Sequence, residues 1–156
     1  MQRRRFIVVI EILINTVFKT FWKQKHNFMK HNIDAVKAFH TAFKIGHRET
    51  PKANLGTAKN NLRFNLMKEE NEEYLQAAED NDLVEVADAL GDMLYILCGT
   101  IIEHGMQYKI EAVFDEIQRS NMSKLGDDGE PIYREDGKVL KGPNYFKPHI
   151  KAILEQ

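Results

Sequence analysis

The sequence of 156 residues predicts an all-α fold, a compact bundle closed by a small polar C-terminal flap. Three observations lead there. Apolar residues recur three and four apart in four stretches after Asn32, the spacing that gives a helix one buried face. Short polar or glycine-bearing breaks separate these stretches. Two of the stretches also carry carboxylates at the same helical spacing.

The first helix is expected over 34–44, with Val36, Phe39, His40 and Phe43 on one face and Gly46 as its stop. A loop over 49–56 leads into a long helix from about Ala58 to Ala78, with Leu62, Leu66, Met67, Tyr74 and Leu75 as candidate core. Glu79-Asp80-Asn81-Asp82 breaks it, and Asp80 or Asn81 is the expected cap of the next helix. That third helix runs to Glu103-His104-Gly105, where Gly105 takes the position past the last turn that glycine favours. A fourth, from about Ile110 to Met122, would bury Val113, Phe114 and Ile117. Beyond it, 126–131 reads as a loop and 132–139 as a small hairpin turning at Asp136-Gly137. Asp127, Asp128 and Gly129 lack the alternating oxygen ligands and closing Glu of an EF-hand.

The chemistry sits on the second and third helices. Residues three or four apart share a helix face, so Glu70 and Glu73 point together, as do Glu85, Asp88 and Asp92. The second group lies in an otherwise apolar helix containing Leu94, Leu97, Ile101 and Ile102. Ionised carboxylates beside a packing face repel one another and lose hydration, and a hard divalent cation compensates both costs. Mg²⁺ takes oxygen ligands and commonly couples carboxylates to substrate phosphates. The pattern points to a metal-dependent enzyme acting on a phosphorylated small molecule. The competing reading is a solvated acidic face, or a non-catalytic bundle that uses its acidic helices for oligomer contacts or nucleotide sensing.

A formal net charge of -1 gives no reason to expect nonspecific nucleic-acid binding. The single cysteine, Cys98, falls inside an apolar helix as a small hydrophobe, which fits a reducing cytoplasm. His40, His47 and His104 lack the i, i+4 spacing of a helical zinc site and read as surface or capping residues. At the N-terminus, Arg3-Arg4-Arg5 precedes an apolar run over 6–18 that imitates a signal peptide or anchor. Glu11 interrupts that run, its length is short for a span, and no small-residue cleavage site follows. Residues 1–28 are therefore expected to be an upstream extension, or an amphipathic helix, before a domain over 29–156 whose working start is Met29.

Glu69-Glu70-Asn71-Glu72-Glu73, followed by Ala89-Leu90-Gly91-Asp92-Met93-Leu94-Tyr95, resembles the all-α nucleoside triphosphate pyrophosphohydrolases. This superfamily includes MazG, the dimeric dUTPases and phosphoribosyl-ATP pyrophosphohydrolase. Arg119-Ser120-Asn121-Met122-Ser123-Lys124 and the segment from Lys138 to Tyr145 are similar to the phosphoribosyl-ATP pyrophosphohydrolase-like branch. The resemblance implies an antiparallel four-helix bundle of the MazG type that forms a homodimer or homotetramer and holds Mg²⁺, with Mn²⁺ as a substitute. It also implies hydrolysis of a nucleoside triphosphate between the α- and β-phosphates, or of phosphoribosyl-ATP in the same manner. By position, Glu70 and Glu73 match the first ligand pair. In the second motif Asp92 matches, but Ala89 stands where the family has Glu. Asp88 lies one turn from Asp92 on the same face and is expected to take that place, with Glu85 as outer ligand or water-positioning base. Glu73 is the other candidate base. Arg63, Lys124 and Lys141 are expected on the phosphates, Asn121 and Asn144 on a base or sugar edge, and Tyr145 or Phe146 stacked on the base.

Overall fold

The computed structural model describes residues 28–156, so nearly all of the expected N-terminal extension lies outside the described residues. The chain is all-α. Its helices are α1 (28–42), α2 (Thr57–Glu79), α3 (Leu83–Glu103), α4 (Ile110–Met122) and α5 (Ile150–Leu154). Among the described residues the expected hairpin amounts to a single antiparallel bridge between Tyr133 and Val139. No described helix is long and apolar enough to cross a membrane.

The turn between α2 and α3 is built one residue later than the sequence suggested. Asn81 adopts a left-handed φ of 57°, and Asp82 follows in extended backbone. Its carboxylate, not that of Asp80 or the amide of Asn81, accepts from the backbone N–H groups of Val84 and Glu85 at 3.0 and 3.2 Å. A cap must be extended while its side chain reaches the first free amides, and the left-handed turn at Asn81 leaves Asp82 in that position.

The tight turn makes α2 and α3 antiparallel neighbours, and polar contacts fasten the end of their seam farther from the turn. Lys59 pairs with Glu103 at 3.2 Å. One turn along, Arg63 donates from Nε to Thr100 Oγ1 at 3.0 Å and from Nη2 to the Ile96 carbonyl. Arg63 and Glu103 are both buried. Desolvation holds the Arg63 guanidinium below its ordinary pKa, opposed by the charge of Glu103. The α2 helix buries Arg63 and Ala77 here, whereas Leu62 and Leu75, expected in the core, are 53% and 56% exposed.

The apolar core lies on another side of α3, against α1. Ile33 and Val36 meet Cys98, Ile101 and Ile102, with Met29, Leu94, Met106 and Ile110 packed around them. His40 is buried rather than at the surface, its Nδ1 3.0 Å from the Gly46 carbonyl. His104 does cap α3, and its Nδ1 lies 2.7 Å from the Lys52 carbonyl. On α4 only Val113 of the three expected core residues is buried; Phe114 and Ile117 are exposed. Only the start of α4 reaches the core, through Ile110, and its far end meets the short α5.

Gly99 is the point at which the two packing surfaces of α3 meet. A Cβ there would lie 2.8 Å from Arg63 Nη2 and 3.0 Å from His40 Nε2. Both groups are tied down by hydrogen bonds, so neither yields freely. Gly99→Ala is expected to destabilise the fold by about 1–3 kcal/mol, the usual cost of overpacking. An unchanged urea midpoint would show that Arg63 is free to move aside.

Candidate active site

The outer ends of α2 and α3, beyond the Arg63 seam, bring the predicted carboxylates together. Glu70 is half-buried on α2. Its carboxyl is pushed above the ordinary range first by burial, then by the charges of Glu73, Asp92, Glu69 and Asp88. Four acidic groups from two helices thus bear on Glu70. Glu73, Glu85 and Asp88 also line an open cleft of about 350 Å³ with Gln76, Ala77, Asp80 and Asp82. The local reason is helical: Glu70 and Glu73 share a face of α2, and Asp88 and Asp92 share a face of α3. Ala89, where the family pattern has Glu, is buried.

Among the described residues these carboxylates do not already converge on a single coordination centre. The donor set nevertheless fits a hard divalent cation, since it offers oxygen ligands alone and carries repulsion that such a cation would relieve. Two contributors were missed in the sequence. Glu69 adds to the crowding, and its adjacency to Glu70 in the acidic run was the available signal. Asp82 lines the cleft, but its carboxylate is committed to capping α3.

The remaining predicted residues fall into two places. Arg63 is buried, and its guanidinium donates to Thr100 and the Ile96 carbonyl on α3. The other five gather near the end of α4. Lys124 donates to Asn121 Oδ1 at 2.7 Å, and the Gly142 amide donates to the Lys124 carbonyl at 2.9 Å. Lys141 Nζ lies 4.4 Å from the Tyr145 ring centroid, and Asn144 donates to Asp127 Oδ1 at 2.8 Å. Ser120 Oγ donates to the Phe146 carbonyl at 2.7 Å and locks the returning strand of chain to α4. Gly142 is needed for this return, because a Cβ would sit 2.2 Å from the Leu125 carbonyl oxygen. Among the described residues no hydrogen bond or ion pair joins this group to the acidic cleft.

A model of the phosphoribosyl-ATP pyrophosphohydrolase family matches residues 36–121, from α1 through the basic end of α4. The chain belongs to that family. It is accordingly a hydrolase of the pyrophosphohydrolase class, acting on phosphoanhydride bonds. Among solved structures, it is similar to a candidate NTP pyrophosphohydrolase from Exiguobacterium sp. 255-15. That likeness has 25% identity and a TM-score of 0.44, covering 80% of this chain and 94% of the other. No curated protein matches.

The raised Glu70 carboxyl has a thermodynamic sign. A carboxylate whose folded pKa exceeds its unfolded value weakens the fold as pH rises through and above the ordinary carboxylate range. In metal-free protein near neutral pH, Glu70→Gln is therefore expected to raise Tm, and added Mg²⁺ should stabilise the wild type more than the variant. A lower Tm for the variant in the absence of metal would show that Glu70 is held by favourable contacts instead.

Proposed function

We infer that the chain is a divalent-metal-dependent nucleoside triphosphate pyrophosphohydrolase that releases a nucleoside monophosphate and pyrophosphate. The observation that carries this reading is half-buried Glu70 under the charges of Glu73, Asp92, Glu69 and Asp88 from two helices, beside a cleft lined by Glu73, Glu85 and Asp88. Structural carboxylates have little reason to accumulate so, whereas a triphosphate site needs them to hold its counter-cations.

Glu70, Glu73, Asp88 and Asp92 would hold Mg²⁺, or Mn²⁺ in its place. The cation, when bound, would supply charge neutralisation for the phosphates and for the departing pyrophosphate. The chain's own residues do the rest. Glu73 or Glu85, both lining the cleft, orients a water in line with the α–β bridge and takes its proton. The water oxygen bonds to the α-phosphorus as the bridging P–O bond breaks, and pyrophosphate leaves. Lys124 and Lys141 take the phosphate tail as point charges, and Asn121, Asn144 and Tyr145 border the nucleoside.

Among the described residues these basic side chains and the acidic cleft have no direct link, and a homodimer, or a tetramer of such dimers, with a partner completing each site would supply one. An uncovered hollow of about 560 Å³ between α2 and α3, lined by Phe64, Met67, Lys68, Asn71, Met93 and Leu97, supplies an apolar face for the contact. An all-α protein of this size gains most by covering such a face.

The test is product analysis with Mg²⁺ and a panel of canonical and modified nucleoside triphosphates, phosphoribosyl-ATP included. Monophosphate and pyrophosphate should appear from at least one substrate. Glu73→Gln should reduce kcat by about 10²–10⁴-fold, as expected for loss of a base or metal ligand. Orthophosphate as the sole product, or an active Glu73→Gln enzyme, would refute the assignment. Separately, Phe64→Glu combined with Leu97→Glu should convert a dimeric mass in solution to a monomeric one and abolish turnover. A wild type that is already monomeric and active would refute the shared site.

A further inference from the structure

A cavity of about 390 Å³ opens between the start of α1 and the start of α4. It shares no lining residue with the acidic cleft. Met29 and Ile33 of α1 and Ile110 of α4 give it an apolar lining. Its volume suits a small molecule, and such sites combine apolar walls with a few polar groups that fix the ligand's head.

The polar groups here already hold a head of defined chemistry. Lys37, Gln107 and Tyr108 line the cavity, and all three donate to the carboxylate of Glu49. Lys37 Nζ reaches Oε1 at 2.8 Å, while Tyr108 Oη and Gln107 Nε2 reach Oε2 at 3.0 and 3.4 Å. Donors from α1 and from the α3–α4 turn are thus divided over the two oxygens of one planar anion, as carboxylate recognition requires. The Lys37 ammonium first, and then the Tyr108 hydroxyl, hold the Glu49 carboxyl below its ordinary range. The donor set therefore favours an ionised head.

Glu49 reaches this set from outside. It belongs to the connection after α1, lines none of the cavity, and has a side chain 55% exposed. His47 Nε2 lies 3.3 Å from the same Oε1, so Glu49 keeps a partner when it turns away. Of the other charges on the wall, Lys30 is paired with Asp34, and Glu111 is not free either. Lys37 is the cation whose partner comes from beyond the cavity. The internal contact also uses Gln107 incompletely. Its Nε2 donates to the Arg48 carbonyl at 2.7 Å, but its Oε1 is buried with no donor among the described residues. Buried acceptors are normally paired, and Glu49 has no proton to offer this one.

We propose that the cavity binds a small organic acid with an apolar body, whose carboxylate displaces Glu49 from Lys37, Tyr108 and Gln107. The body lies against Met29, Ile33 and Ile110. Glu49 is the internal competitor that occupies the donors when the acid is absent. An exposed ion pair is weak, so a ligand that adds apolar burial to the same donor contacts overcomes it. One carboxylate replaces another, and the charge facing Lys37 is unchanged. Occupancy also unties the connection after α1 from Lys37 and Tyr108. The pyrophosphohydrolase reading stands or falls separately, since the two clefts have no residue in common.

The test titrates the full chain with octanoate by isothermal calorimetry, with octanol as a probe of similar body and no carboxylate. Glu49→Ala should bind octanoate about fivefold more tightly than wild type, the factor an exposed ion pair carries. Glu49→Gln keeps the side-chain length and should shift the affinity in the same direction. Added to Glu49→Ala, Lys37→Met and Tyr108→Phe should each weaken octanoate by about the same factor, which places the head at these donors. Octanol should bind Glu49→Ala about tenfold more weakly than octanoate. Melting curves establish that each variant is folded. Equal octanoate affinity in wild type and in the folded Glu49 variants would overturn the proposal, because Glu49 would not be competing. Octanol binding as tightly as octanoate, indifference to Lys37→Met and Tyr108→Phe, or no heat from any folded variant would overturn it as well.

Discussion

The structure depends on the seam between α2 and α3. Beside its apolar contacts, this helix pair is fastened by Arg63 lodged against Gly99 and by Lys59 on buried Glu103. A buried guanidinium bonded to a backbone carbonyl and a hydroxyl specifies one register, because a slip of a single turn would leave it unpaired. Fixing register at one end fixes it at the other. The placement of Glu70 and Glu73 opposite Asp88 and Asp92 is inherited from that fastening, several turns away.

This arrangement divides labour between the two ends of one helical hairpin. Opposite charges are paired near the α2 start, where Lys59 and Arg63 oppose Glu103. Like charges are left to repel nearer the turn, where Glu73, Asp92, Glu69 and Asp88 bear on Glu70. The paired end stabilises and the repelling end is poised to bind cations, a familiar exchange of stability for function. The Asp82 cap and the left-handed Asn81 hold the repelling end closed despite its charge.

Much of the fold was legible because helical period and breaks are local signals. The bounds of α2, α3 and α4 fall within about two residues of those read from the sequence, the usual uncertainty of helix ends. The acidic groups were legible for the same reason, as i, i+3 and i, i+7 relations need no tertiary knowledge. What was not legible is which face of each helix meets which neighbour. Leu62, Leu75, Phe114 and Ile117 have core spacing yet are exposed, because a periodic pattern shows that a face is apolar and not what covers it. His40 and Arg63 show the opposite case, polar side chains that are buried. Polar residue types suggest surface, and only the gap at Gly99 reveals that both have buried partners. The cap moved from Asp80 or Asn81 to Asp82 through a backbone choice that four similar residues in a row do not encode.

The segment joining α1 to α2 behaves unlike an ordinary connection. The Arg48 amide donates to the Ile102 carbonyl at 3.0 Å, Lys52 to the His104 carbonyl at 2.9 Å, and His104 answers through its ring to Lys52. Gly105 lies directly beneath Thr50, whose carbonyl oxygen would sit 2.1 Å from a Cβ there. Surface loops are normally where homologous chains gain and lose residues. Here an inserted residue would break two backbone bonds and a histidine clasp at once, so 46–56 tolerates a change of length poorly. The flap over 126–131, held by far fewer ties, is the place where descendants of this chain can lengthen and diverge.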